Sequence, residues 1–190
     1  MFGEHLEALA ALLPRAAAEM SGPVSAASRL VADAVLSGRK VLSFGNGGSA
    51  EQAQHLAAEL VVRYRDDRPA LGGIALTADA AILTACSNDY SFDEVFARQV
   101  AALGQRGDVA FALSTSGRSP NVLKGLAAAR SRGMATVLLT GEKGRVEAST
   151  WDVGIVVPHA ETAHVQEVHL AVIHAVCRFV EAELARRGQA

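Results

Sequence analysis

The sequence predicts an α/β protein: a three-layer α/β/α sandwich built on a five-stranded parallel sheet and preceded by a pair of N-terminal helices. Three observations carry this. Short apolar runs alternate along the chain with helix-forming segments, the order that builds a parallel sheet covered on both faces. The runs are continuously apolar, as strands buried on both sides are. Two Gly- and Ser-rich loops each stand between such a run and a helix, where ligands bind in sheets of this kind.

Residues 4–20 have helical periodicity through Leu6, Leu9, Leu12 and Leu13, with Pro14 expected to kink or split the helix. Ser21-Gly22-Pro23 punctuates, and Pro23 suits the first turn of a second helix that runs to about Leu36 and closes at Ser37-Gly38. The expectation is an antiparallel helix pair with an Ala- and Leu-rich face, covering the domain or packing on another subunit. Val41, Leu42 and Phe44 make the first strand, Gly45-Asn46-Gly47-Gly48 the turn, Ser49 an N-cap, and residues 51–60 a helix. A polar stretch from Arg63 to Pro69 follows, then a strand over 72–76 and helices over 79–85 and 93–105. Residues 109–113 form the third strand, Ser119 and Pro120 open a helix to about Ser131, and 136–140 form the fourth strand. A loop or short helix over 141–149, a strand over 152–157 and one long helix over 162–186 complete the chain. No linker divides it. Residues 1–190 read as one domain, with helices over 1–38 and the α/β core over 39–190.

Composition narrows the function. The chain has 190 residues, one domain's worth, enough to bury roughly 70% of its unfolded surface. Its formal charge is −2 with no basic block, which gives nucleic acid or an anionic membrane no electrostatic hold. No apolar stretch reaches a membrane span and no signal-peptide pattern opens the chain, so a cytoplasmic location is expected. Cys86 and Cys177, far apart in apolar surroundings, read as buried free thiols.

The first loop offers free backbone N–H groups at a helix start, an anion site. The second, with Ser114, Thr115, Ser116 and Ser119, offers hydroxyls and another helix start, which suits a single phosphoryl group. Both should share one crevice. His55 and Glu59, four apart, project from one helix face. On the last helix Gln166 and His174 share a broad face, with His169 between them. Two helices presenting such groups can converge on one divalent ion, and N and O ligands suit zinc. A rival reading takes Gly45, Gly47 and Ala50 as a dinucleotide fingerprint with Asp79 as its ribose-binding acid. The absence of a G-K-[ST] motif argues against a nucleotide P-loop.

Taken together, Gly45 to Ser49, His55-x-x-x-Glu59, Arg63-Tyr64, Asn88-Asp89, Ser114-Thr115-Ser116-Gly117-x-Ser119 and Gln166-Glu167-x-His169-x-x-x-x-His174 resemble the phosphoheptose isomerases, a branch of the sugar isomerase (SIS) domain group. The resemblance covers nearly the whole chain. It implies conversion of sedoheptulose 7-phosphate to D-glycero-D-manno-heptose 7-phosphate, the first step toward nucleotide-activated heptoses, in a homotetramer with active sites at subunit interfaces. It implies Glu59 as base and His174 as acid. Zinc, one per subunit, would be held by His55, Glu59, Gln166 and His174, with no nucleotide cofactor. The implied substrate contacts are Asn46, Gly47, Gly48, Ser49, Glu59, Arg63, Asn88, Asp89, Ser114, Thr115, Ser116, Ser119 and Gln166. In one departure, Ala163 and His164 stand where many relatives carry an Asp-Arg pair before Gln-Glu, which bears on sugar contacts from that loop and on the C2 epimer formed. A non-catalytic SIS protein of the replication-initiator-binding type is the alternative. Those proteins have the acid–base positions replaced, whereas Glu59 and His174 are present here.

Overall fold

The computed structural model describes residues 1–188. Five parallel strands lie in the order β2-β1-β3-β4-β5: β1 (Lys40–Gly45), β2 (Gly72–Ala75), β3 (Val109–Ser114), β4 (Ala135–Gly141) and β5 (Val153–Val157). Helices α1 (Phe2–Leu36), α2 (Gly48–Val61) and α7 (Thr162–Arg186) belong to one face of the sheet, and α3 (Ala80–Asp89), α4 (Val95–Leu103) and α5 (Pro120–Ser131) to the other. A 3₁₀ turn, Glu142–Gly144, and the single-turn α6 (Arg145–Ala148) lead into β5. The central strands β1 and β3 are buried on both sides, which is why their sequences run continuously apolar. Val41, Phe111 and Leu139 point into the core under α1, α2 and α7, while Leu42, Phe44 and Leu138 point under α3 to α5.

The expected N-terminal helix pair is instead one 35-residue helix that passes through both Pro14 and Pro23. Each interior proline removes a hydrogen bond and costs about 3 kcal/mol. Packing along α7 opposes that cost: Leu12, Ala16, Met20, Ala27 and Val31 form a continuous buried stripe in the same core as Val168, Val172, Val176 and Val180. Burying a Leu, Val or Met is worth about 1.5–3 kcal/mol each, so the stripe outweighs the two breaks. A second difference is at α2. Gly47, at φ +55°, is the N-cap and Ser49 lies inside the first turn. Only glycine adopts that φ without strain, so the helix starts two residues earlier than a serine cap implies. Residues 93–105 also divide, into a 3₁₀ turn (Phe92–Glu94) followed by α4.

After β1 the chain goes outward to β2, then returns to the other side of β1 as β3. The strand order thus reverses between β1 and β3, and a crevice opens outside their C-terminal ends, as such reversals produce.

Candidate active site

That crevice, of about 250 Å³, is lined by Asn46, Gly48 and Ser49 from the first loop, by Leu113, Ser114, Thr115, Ser116 and Ser119 from the second, and by Thr162 and Gln166 of α7. The two loops therefore meet as expected. Ser119 is the N-cap residue of α5 but makes no capping bond with its side chain. Its hydroxyl faces that of Ser114 at 3.2 Å, and Ser114 Oγ also accepts from the Gly117 N–H at 3.1 Å. The result is a rim of hydroxyls at two helix N-termini, with backbone donors and partial positive charge directed at an anion. Asn46 is fixed by a reciprocal amide pair with the buried Asn121, 2.9 Å one way and 2.8 Å the other. Gly48 permits the closest approach: a Cβ there would lie 2.6 Å from Gln166 Nε2.

From this crevice α2 and α7 run side by side in the same direction. Gly48 meets Gln166, Gln52 Nε2 donates to the Gln166 carbonyl at 2.7 Å, and further on His55 meets His174. His55 Nε2 and His174 Nε2 lie 3.0 Å apart, and Glu59 Oε1 is 3.4 Å from the same His55 nitrogen. The other carboxylate oxygen, Glu59 Oε2, is buried without a hydrogen-bond partner among the described residues. Residues 119 positions apart in the chain thus converge. Two imidazole nitrogens and a carboxylate oxygen with unused acceptor capacity form a donor set of the kind zinc takes. Gln166, the fourth expected ligand, carries its amide over Gly48 at the crevice, about 12 Å along the α7 axis from His174 at 1.5 Å per residue.

Glu181, near the end of α7, holds this arrangement. Its carboxylate accepts from the backbone N–H groups of Tyr64 (3.0 Å), Arg65 (3.1 Å) and Asp66 (3.4 Å), and faces Arg68 Nε at 3.4 Å. Burial alone would raise its pKa, but the Arg65, Tyr64 and Asp66 donors outweigh that and hold the carboxyl below the usual range. Arg68 in turn donates to the Glu59 and Leu60 carbonyls, closing the C-terminus of α2. The clamped loop places the Tyr64 ring 5.6 Å from that of His174. Cys177, beside this cluster, is a free thiol pushed up to about 12 by burial and by the nearby Glu59 charge.

Other expected residues lie elsewhere in the single chain. Arg63 is exposed and donates to the Arg65 carbonyl, Asn88 donates to the Asp89 carboxylate, and Asp89 borders a separate hollow between α3 and α4. Asp79, the ribose-binding acid of the dinucleotide reading, caps α3 by accepting from the Ile82 N–H at 3.0 Å. His169 is fully buried, and among the described residues neither ring nitrogen makes a well-formed hydrogen bond, although the Thr140 backbone is near enough to act on it. Sequence reasoning missed Asn121, Gln52, Thr162 and Glu181. Only Gln52, one turn before His55 on the same face, left a readable signal.

Comparison with known proteins identifies the family. Residues 4–141 match the family model described as SIS domain. A phosphoheptose isomerase from Bradyrhizobium sp. (strain BTAi1) is 47% identical over 187 residues, covering 97% of this chain and 94% of its own. Solved phosphoheptose isomerases from Neisseria gonorrhoeae (TM-score 0.89, 39% identity, 95% of this chain and 97% of that one) and Francisella tularensis (TM-score 0.90, 32% identity, 94% and 95%) share the fold. With matches over nearly its full length and a crevice at the strand reversal point, this chain belongs to the phosphoheptose isomerase family of SIS-domain proteins.

Proposed function

We propose that the protein is an aldose–ketose isomerase that converts sedoheptulose 7-phosphate to D-glycero-D-manno-heptose 7-phosphate, at the head of nucleotide-activated heptose synthesis. The observation that carries this reading is the spacing of the two ends of the α2–α7 seam. His55 is seven residues beyond Gly48, and His174 eight beyond Gln166, about 10–12 Å along the helices. With carbon–carbon bonds of about 1.5 Å, an extended seven-carbon sugar with its phosphate ester reaches roughly 10 Å. A phosphate in the hydroxyl-lined crevice would therefore leave C1 and C2 near His55, Glu59 and His174. Binding energy from that remote phosphate positions the reacting carbons.

In the proposed mechanism Glu59 takes the proton from C1 of the open-chain ketose, leaving a cis-enediolate. Oε1 is engaged toward His55, and among the described residues Oε2 has no hydrogen-bond partner, so Oε2 is the oxygen with acceptor capacity left for the proton. His174 exchanges protons with the C1 and C2 oxygens and supplies C2, giving the aldose. Tyr64 and the Glu181-clamped loop hold the imidazole in place. His55, Glu59 and His174 would hold one zinc ion per subunit, which when bound supplies Lewis-acid polarisation of the sugar oxygens, while Gln166, the expected fourth ligand, lies at the crevice end as a substrate contact.

We further propose a homotetramer with sites completed at subunit interfaces, which would bring in Arg63, Asn88 and Asp89. An apolar hollow of about 370 Å³ between α1 and α7, bordered by Leu13, Met20, Val24 and Val172, supports association along that seam. Among the described residues no helix is long and apolar enough to cross a membrane, and a cytoplasmic location is proposed with the substrate. The test is incubation with sedoheptulose 7-phosphate, followed by NMR. A new aldose phosphate that vanishes in Glu59→Gln is expected; an unchanged ketose would return the protein to the non-catalytic class.

A further inference from the structure

We propose that His5, His164 and Glu167 form a second site for a divalent transition metal, separate from the His55 cluster. Their ligand atoms all lie within 4.8 Å of one another. His164 and Glu167 are one turn apart on α7, and His5 comes from the first turns of α1. Glu167 presents one oxygen to each imidazole, Oε1 to His5 Nε2 at 2.5 Å and Oε2 to His164 Nδ1 at 2.8 Å. The two rings lie 4.4 Å apart.

Two imidazole nitrogens and one carboxylate make a borderline donor set that suits zinc, cobalt or nickel rather than calcium or magnesium. The surroundings support ligation. When Nδ1 of His164 binds a metal, its proton sits on Nε2, and that nitrogen faces Glu161 Oε2 at 3.6 Å. A carboxylate behind a ligating histidine is the usual means of fixing the tautomer. His164 is 2% exposed, so its ring is held in place. His159 packs edge-on against it at 5.2 Å and acts as a wall. Its Nδ1 accepts from the Glu161 N–H at 3.2 Å, which puts the His159 proton on Nε2 and leaves it out of the ligand set. The N-terminus of α7 contributes about half a positive charge against a cation. The Glu161 and Glu167 carboxylates offset it. A bound ion would staple the start of α1 to the turn of α7 that carries Thr162 and Gln166 into the crevice.

The test uses the full chain with His55→Ala and His174→Ala, so that the first cluster cannot bind. Equilibrium dialysis against zinc, with the metal counted by mass spectrometry, is expected to give one zinc ion per chain, lost on adding His5→Ala. Zinc should raise the melting temperature of the first variant and not of the second. In the otherwise unaltered chain, His5→Ala should lower the zinc count by one, a comparison that needs neither active-site substitution. No zinc in the His55/His174 variant while it keeps its native circular dichroism, or a count that His5→Ala leaves unchanged, overturns the proposal. Neither reading depends on turnover of the sugar, so failure here is distinct from failure of the isomerase assignment.

Discussion

Helix α7 carries histidines at 164, 169 and 174, and the first and last meet the same residue types in different states. His164 joins His5 around Glu167, whose two oxygens are both engaged. His174 joins His55 around Glu59, which keeps one buried oxygen with no partner among the described residues. His169, between them, has among the described residues neither a carboxylate nor a well-formed hydrogen bond, with only the weaker influence of the Thr140 backbone. A carboxylate with both oxygens taken acts as a fastener, because hydrogen bonds to the charged form hold the proton off. Burial opposes that effect at Glu167, yet the His5 and His164 donors still lower its pKa. A carboxylate with spare acceptor capacity beside two imidazoles is equipped to accept a proton. The difference between the clusters is therefore one of satisfaction rather than composition.

The largest effect that tests this contrast is at Glu59. Glu59→Gln keeps the shape and removes the base, so kcat should fall by about 10²–10⁴ or more while the circular dichroism spectrum stays native. Near-normal turnover would erase the distinction between the clusters.

His169 is the control, an imidazole with neither fate. Burial pushes its pKa down to about 4 from an ordinary 6.5. Below pH 6.5 the unfolded chain takes a proton that the folded chain refuses. Stability therefore falls as pH drops from 6.5 toward 4, at up to about 1.4 kcal/mol per pH unit. Denaturant melts of the protein and of His169→Leu should diverge in this window, with the variant showing the shallower acid slope. Parallel slopes would mean that His169 finds a partner in solution.

Glu181→Gln tests the support beneath the reactive cluster. It weakens a buried carboxylate's bonds to three backbone donors and Arg68, and should cost about 1.5–3 kcal/mol in chemical denaturation. If stability is unchanged, the loop is held by something other than this clamp.

Gly48→Ala acts at the crevice end. The added methyl meets Gln166 Nε2, the far end of a flexible side chain, so the fold should survive. A penalty near 1.4 kcal/mol would appear as a roughly tenfold rise in KM for the sugar phosphate. A rise in stability with no change in KM would mean that Gln166 moves aside without consequence.

Much of this was legible in the residues. The five strands and the limits of α7 follow from apolar runs and their punctuation, because buried parallel strands and a long packed helix leave strong periodic marks. The two loops and the His55, Glu59 and His174 set could be named from motif order. The unbroken α1 could not. Pro14 and Pro23 are local signals, and what overrides them is packing against residues 150 positions away. Gly47 as the cap, in place of Ser49, depends on a backbone φ that no side chain announces. Asn121 pairs with Asn46, and His5 with Glu167, across 75 and 162 residues. Such partnerships exist only once the sheet and helices have set their distances.

The central claim is that Glu59 removes the C1 proton at the far end of a phosphate-anchored heptose. Its most direct test is turnover of sedoheptulose 7-phosphate in D₂O, read by NMR at C2 of the aldose. The account predicts solvent deuterium at C2 with the native chain, and neither product nor deuterium exchange into the ketose with Glu59→Gln. Exchange at an undiminished rate in that variant would contradict it.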